Sequence, residues 1–272
     1  MSDKVYFKTK SGYQLCGILE VPKVGTGKAV ILCHGFSSSK DSDKYKILSK
    51  LFVKEGVAAL RFDFFGHGES EGDFSKVTVS QGVDDVLSAL DFMEGLGFVD
   101  IGLLGVSFGG KCSLVAAAKS RRIKVLSLVA PAVDYAKLQK AQYGDKKLKE
   151  WKEHGKIVYE GKEGAKELEY TFHADLKNFN FAGLAKHVEV PTLIIHGDRD
   201  QLVPVEHSQK LFKELACFKK LEVIIGCNHF FERDSDREQL YYLIVEWIVR
   251  YLWGDFNEYS RRCRKICSWR NR

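Results

Sequence analysis

A serine with a glycine two residues to either side, Gly105-Val106-Ser107-Phe108-Gly109, follows the apolar run 101–106 and precedes a small-residue stretch over 113–119. A strand that turns this sharply into a helix crowds the backbone around the serine, so the residues two before and two after it must be small. The same turn lifts the hydroxyl clear of the sheet at a helix N-terminus, where the dipole and free N–H groups favour developing negative charge. Ser107 is therefore the candidate nucleophile.

A serine hydroxyl needs a base to take its proton. In this topology the base is a late histidine, on the loop after the last strand. His229 has that place, in the segment Gly226-Cys227-Asn228-His229 after the run 221–225. Of the other histidines, His154, His173, His187 and His207 sit in polar or helical stretches and read as surface residues. His196, at the end of a strand, reads as structural. The base in turn needs a carboxylate that fixes its tautomer. Asp198 and Asp200 lie in the loop His196-Gly197-Asp198-Arg199-Asp200-Gln201-Leu202-Val203-Pro204, and spacing leaves both open. Asp134, just after the run 125–129, is a third candidate. Two backbone N–H groups complete an oxyanion hole: that of Phe108, after the serine, and that of Phe36, in His34-Gly35-Phe36 at the end of the run 29–33.

These residues need a sheet to hold them. The runs 29–33, 57–62, 101–106, 125–129, 192–195 and 221–225 are continuously apolar, as in parallel strands covered on both faces. Two earlier strands, near 5–8 and 15–21, flank a turn at Ser11-Gly12. Amphipathic stretches lie between them. Val83, Val86, Leu87 and Leu90 recur at helical spacing, as do Leu240, Leu243, Ile244, Trp247, Ile248, Tyr251 and Leu252, with Gly254 placed to end the last helix. The pattern predicts a mostly parallel, eight-stranded α/β sheet with helices on both faces. The core comprises 1–132 and 188–254.

Residues 133–187 lack strong strand signals and are too long for a plain connection. They are read as a largely helical lid. Its aromatics supply a wall for a substrate, foremost Tyr143, Trp151 and Phe172. Such a roof shapes a closed pocket suited to soluble esters with short or medium acyl groups.

Composition excludes other classes. Of 272 residues 45% are hydrophobic and 29% charged, a globular profile. No apolar run reaches the roughly 18 residues of a membrane span, and the N-terminus lacks a signal-peptide pattern. A cytoplasmic protein is expected. The net charge of +6 is matched by the six basic residues of 261–272, RRCRKICSWRNR, within the tail 255–272, and the rest of the chain is neutral overall. The balanced body gives little support to nucleic-acid binding. The scattered cysteines suggest no disulfide framework, and Cys263 and Cys267 lack further ligands for zinc.

Together these motifs resemble the α/β-hydrolase superfamily over about residues 10–253. They include Asp63-Phe64-Phe65-Gly66-His67-Gly68-Glu69-Ser70 and Asn228-His229-Phe230. The resemblance makes His67 structural. It also favours Asp200, the second aspartate of H-G-x-x-D-x-x-V-P, over Asp198. Within the superfamily the chain is similar to single-domain esterases that include bacterial feruloyl (cinnamoyl) esterases, although Val106 stands where many esterases have histidine. The function so implied is a serine carboxylesterase acting through Ser107, Asp200 and His229, with no metal or organic cofactor. Amidase, peptidase, thioesterase and monoacylglycerol-lipase-like activities share this chemistry. A haloperoxidase or C–C hydrolase, or a binding protein on the same scaffold, are further alternatives. The expected partner is a small-molecule ester, with no nucleic acid or membrane and with a homodimer as one oligomeric option.

Overall fold

The computed structural model describes residues 2–133, 135–161 and 164–254. Asp134, the tail 255–272 and its two cysteines lie outside the described residues. The chain opens with the hairpin β1 (Ser2–Lys8) and β2 (Gln14–Glu20). Gly12 takes the left-handed conformation its turn requires, with φ of 89°. Then follow β3 (Lys28–Cys33), α1 (Asp43–Lys54), β4 (Ala58–Phe62), α2 (Val79–Gly95), β5 (Asp100–Val106), α3 (Phe108–Lys119) and β6 (Ile123–Val129). After the insertion come β9 (Thr192–Gly197), α7 (Glu206–Glu214), β10 (Lys219–Ile224) and α8 (Asp234–Trp253). Gly254 caps α8 at φ 68°.

The eight strands run in the order β1-β2-β4-β3-β5-β6-β9-β10. The β1–β2 and β2–β4 pairs are antiparallel and the others parallel. Strand periodicity divides the core in two. Ala29, Ile31 and Cys33 of β3 pack on one face with Val86, Leu90 and Leu114 of α2 and α3. Val30 and Leu32 pack on the other with Leu48 and Phe52 of α1 and Ile244 and Ile248 of α8. Burial on both faces is what makes these strands continuously apolar. Among the described residues no helix is long and apolar enough to cross a membrane.

The insertion differs from the largely helical segment expected. It contains α4 (Tyr135–His154), broken at Gly144, and an antiparallel hairpin of β7 (Lys156–Gly161) and β8 (Gly164–Glu169). Two short helices follow, α5 (Thr171–Asp175) and α6 (Phe181–Ala185). The β7 residues alternate only between exposed and half-buried, so the hairpin lacks the apolar contrast that marks a core strand. Trp151 is 1% exposed. Its indole N–H donates to the Leu168 carbonyl at 3.0 Å, and the Tyr143 ring meets it edge-on at 5.8 Å. The insertion is tied to the core where Asp175 accepts the Ser80 N–H (2.8 Å) and hydroxyl (2.5 Å) in the first turn of α2.

Candidate active site

Ser107 lies at the β5–α3 corner with φ 52° and ψ −106°, a left-handed conformation that a non-glycine residue adopts only under constraint. The flanking glycines supply the constraint. A Cβ at Gly105 would fall 2.5 Å from the Gly109 carbonyl oxygen, and one at Gly109 would fall 2.5 Å from that of His34. The Gly109 N–H donates to the His34 carbonyl at 3.1 Å, so α3 starts against the end of β3. The same approach sets Gly35, whose Cβ would lie 3.7 Å from the Ser107 Cβ, beside that serine. Phe108 is the first residue of α3, and its N–H has no intrahelical acceptor.

Two buried imidazoles shape the loop carrying Phe36. The Phe64 N–H donates to His34 Nε2 at 3.1 Å, so Nδ1 holds the proton and donates to the Gly35 carbonyl at 2.8 Å. His67 repeats the pattern: its Nδ1 donates to the Phe65 carbonyl at 2.9 Å, and its Nε2 accepts the Ser37 N–H at 3.4 Å. Burial pushes the pKa of His34 down to about 4 and that of His67 to about 3, so both stay neutral connectors. The structural role expected for His67 matches this geometry. Asp63 anchors the same loop, accepting the Lys40 N–H at 2.7 Å and the Glu69 N–H at 2.9 Å.

The elbow is linked to the other site loops along the C-terminal edge of the sheet. The Ser107 N–H donates to the Val129 carbonyl (2.9 Å), Ala130 N–H to Ile195 (2.9 Å) and Arg199 N–H to Cys227 (3.0 Å). On that edge Asp200 accepts His229 Nδ1–H at 2.6 Å through Oδ2. The same oxygen accepts His196 Nε2–H at 3.1 Å. Oδ1 accepts the N–H groups of Leu202 (2.9 Å) and Val203 (2.8 Å). Burial alone would raise the pKa of Asp200. The hydrogen bonds from His196 and His229 outweigh it and hold the carboxyl well below the usual carboxylate range. With Nδ1 donating, His229 presents Nε2 as a proton acceptor. Asp198 is exposed and accepts the Gly226 N–H at 2.5 Å. It braces the start of the histidine loop and leaves His229 to Asp200.

His196 is structural, as expected, and its buried ring adds a second donor to Asp200. His207, read from sequence as a surface residue, is 7% exposed, because the first turn of α7 carries it inward. Sequence reading also passed over Asp85. Burial raises the pKa of this carboxyl to about 7, against hydrogen bonds from Gln81 and the Phe65 N–H. An aspartate on the apolar Val83–Val86 face of a helix was the available signal.

Of the aromatics expected at the substrate, Trp151 and Tyr143 instead pack the insertion's own core, where a tight hydrophobic cluster outweighs exposure to a ligand. Phe172 is fully buried as well, its ring centroid 5.1 Å from Phe36 and 6.5 Å from Phe108, so it packs against the loop that carries Phe36. Lys111, one turn after Ser107, lies against the same rings, its ammonium 5.4 Å from Phe108 and 5.6 Å from Phe172. Burial pulls its pKa down to about 7.

Sheet order, crossover helices and elbow define an α/β-hydrolase, a superfamily of enzymes. The profile of the prolyl oligopeptidase family matches residues 45–255, and the chain belongs to that family. Est1E from Butyrivibrio proteoclasticus, solved with ferulic acid bound, superposes with a TM-score of 0.79 at 27% identity, over 91% of this chain and 99% of that one. The mitochondrial palmitoyl-protein thioesterase ABHD10 of Bos taurus is 27% identical over 82% of this chain and 74% of its own length. The serine hydrolase BPHL of Mus musculus is 29% identical over 72% of each. The chain is thus a hydrolase of esterase- and thioesterase-like kind.

The two aspartates separate by mutation. Asp200→Asn lowers kcat by roughly 10³–10⁴-fold by imposing the wrong histidine tautomer, while Asp198→Asn costs less than about tenfold. Steady-state kinetics of both variants check the assignment, and the reverse order refutes it. Lys111 gives a pH signature. Its folded pKa of about 7 lies below its unfolded value of about 10.4, so between them the unfolded chain binds the extra proton and stability rises with pH. Lys111→Met therefore raises Tm at pH 7 and flattens that rise, as a pH series of thermal melts reads directly.

Proposed function

We propose that the protein is a serine carboxylesterase that works through an acyl-enzyme. The observation that carries this reading is the 2.6 Å Asp200–His229 hydrogen bond on the sheet edge that also bears the Ser107 elbow, with the Phe36 loop packed against that serine. In the proposed cycle His229 Nε2 takes the Ser107 proton as Oγ attacks the substrate carbonyl. The Phe36 and Phe108 N–H groups hold the oxyanion, worth about 10²–10³ in kcat per donor in comparable sites. Asp200 holds the imidazolium. His229 then gives its proton to the leaving alcohol, and water repeats the sequence to free the acid. The residues supply every proton and charge the reaction needs, so no cofactor enters.

The insertion supports a small-molecule substrate. It places the buried Phe172 and the half-buried Tyr159 against Phe36, with centroids at 5.1 and 5.0 Å, which supports reading the site as an aromatic enclosure rather than a broad apolar face. Short to medium acyl or aryl-acyl esters fit this enclosure, and Est1E's bound ferulic acid supports the aryl-acyl refinement. A thioester is the second reading, favoured by the match to the palmitoyl-protein thioesterase, because the same groups expel a thiolate. The five described cysteines are all free, which suits a reducing cytoplasm.

Paired p-nitrophenyl esters from acetate to palmitate, methyl ferulate, acyl thioesters and anilides test this function. The expected result is a maximum in kcat/KM among short to medium or aryl-acyl esters, with Ser107→Ala losing several orders of magnitude in kcat and keeping its Tm. A maximum on thioesters moves the assignment to thioesterase. A maximum at palmitate with activation by emulsified lipid contradicts the enclosed pocket.

A further inference from the structure

Ser37, directly after the candidate oxyanion donor Phe36, carries three marks of a residue held in place by its neighbours. Its φ is 53°, in the left-handed region. It is 4% exposed, and its hydroxyl has no hydrogen-bond partner among the described residues. Its N–H is taken by His67. Such a conformation persists only where the surroundings over-determine it.

Further contacts on this segment come from the insertion. Gly161, the last residue of β7, lies so close that an added Cβ would overlap the Ser37 Oγ and fall 3.0 Å from the Ser37 Cβ. Two residues earlier, the Tyr159 ring stands edge-on to Phe36 at 5.0 Å and packs on Phe74 at 6.3 Å. Lys166 of β8 places its ammonium 4.8 Å from the centre of the same Phe74 ring, and Phe74 in turn meets Phe36 at 5.0 Å. The Phe36–Ser37 segment is therefore in contact with both the imidazole of His67 and the hairpin β7–β8.

We propose that the hairpin of the insertion is a clamp on the oxyanion hole, with Gly161 and Tyr159 as positioning residues that hold Ser37 in its left-handed conformation and so aim the Phe36 N–H at the developing oxyanion. The proposal rests on Phe36 being the oxyanion donor. Gly161 has its role because only a residue without a side chain lets β7 reach the loop, and Tyr159 because its ring fixes Phe36 from the same direction. The insertion thus acts on the rate of the chemical step and is more than a wall around the substrate.

The test uses the full chain with Gly161→Ala and Gly161→Val, each also combined with Ser37→Gly. The added side chain displaces Ser37 and turns the Phe36 N–H aside. Misplacements of this kind cost on the order of 10- to 100-fold in kcat, with the valine variant worse and KM changed less than about twofold. A trifluoromethyl ketone reports the hole directly, since Ser107 Oγ adds to its carbonyl, His229 takes the proton and the resulting oxyanion occupies the hole. Its Ki rises in step with the fall in kcat/KM. Ser37→Gly removes the two colliding serine atoms and accepts the positive φ, leaving only the contact of the added Cβ with the Tyr159 ring edge at 2.9 Å, so it restores most of the lost kcat to Gly161→Ala. Thermal melts confirm folding, and if Gly161→Val does not fold, the alanine pair decides alone. Unchanged kcat, a loss that Ser37→Gly does not restore, or a rise in KM without a fall in kcat overturns the clamp. Ser107→Ala in the same assay keeps the two readings apart. If it retains turnover, the esterase mechanism fails. If it is inactive while the Gly161 variants keep full kcat, only the clamp fails.

Discussion

The close approach of the α3 N-terminus to the end of β3 is the constraint on which the site depends. Gly109 must present bare backbone to the carbonyls of Cys33 and His34, and only then does its N–H reach the His34 oxygen. That contact starts the helix where Ser107 becomes its cap, strains the serine into positive φ and brings Gly35 against it. Ser107 and the loop bearing Phe36 are thus placed by one contact between β3 and α3, the segment joined to β5. A side chain at Gly109 would push both apart.

Electrostatics then shifts two buried carboxyls in opposite directions. Asp200 is buried yet held as a carboxylate, because four donors converge on its two oxygens. Asp85 is buried with fewer donors, and burial prevails there. His34 and His67 receive N–H groups on one nitrogen and donate from the other, so they work as neutral braces beneath the oxyanion loop. His229 differs from them in donating from Nδ1 to a carboxylate and in being partly exposed.

The sheet was legible because its strands are buried on both faces and read as unbroken apolar runs. Run 192–195 became Thr192–Gly197 and run 221–225 became Lys219–Ile224: the ladder extends beyond the apolar residues to Gly197 and Lys219, while Ile225 is exposed and outside the strand. The order of serine, aspartate and histidine was legible because each follows a strand end. Spacing could not separate Asp198 from Asp200, since the two differ only in which way a tight turn faces. The hairpin β7–β8 escaped because its strands are short, rich in lysine and glutamate, and stabilised by docking onto Phe36 and Phe74 rather than by their own pattern. Trp151 escaped for the opposite reason. A large aromatic in an insertion serves a core or a ligand equally well until its indole N–H is seen to meet the Leu168 carbonyl.

Active-site labelling with a fluorophosphonate tests the central claim most directly, because the probe needs the activated serine and no knowledge of the substrate. Ser107 Oγ attacks phosphorus, fluoride leaves, and peptide mass spectrometry locates the adduct. The account predicts one adduct per chain, on the peptide containing Ser107, absent in Ser107→Ala and formed at least about 10²-fold more slowly in His229→Ala. No labelling of the folded wild-type protein, or undiminished labelling in Ser107→Ala, would contradict it.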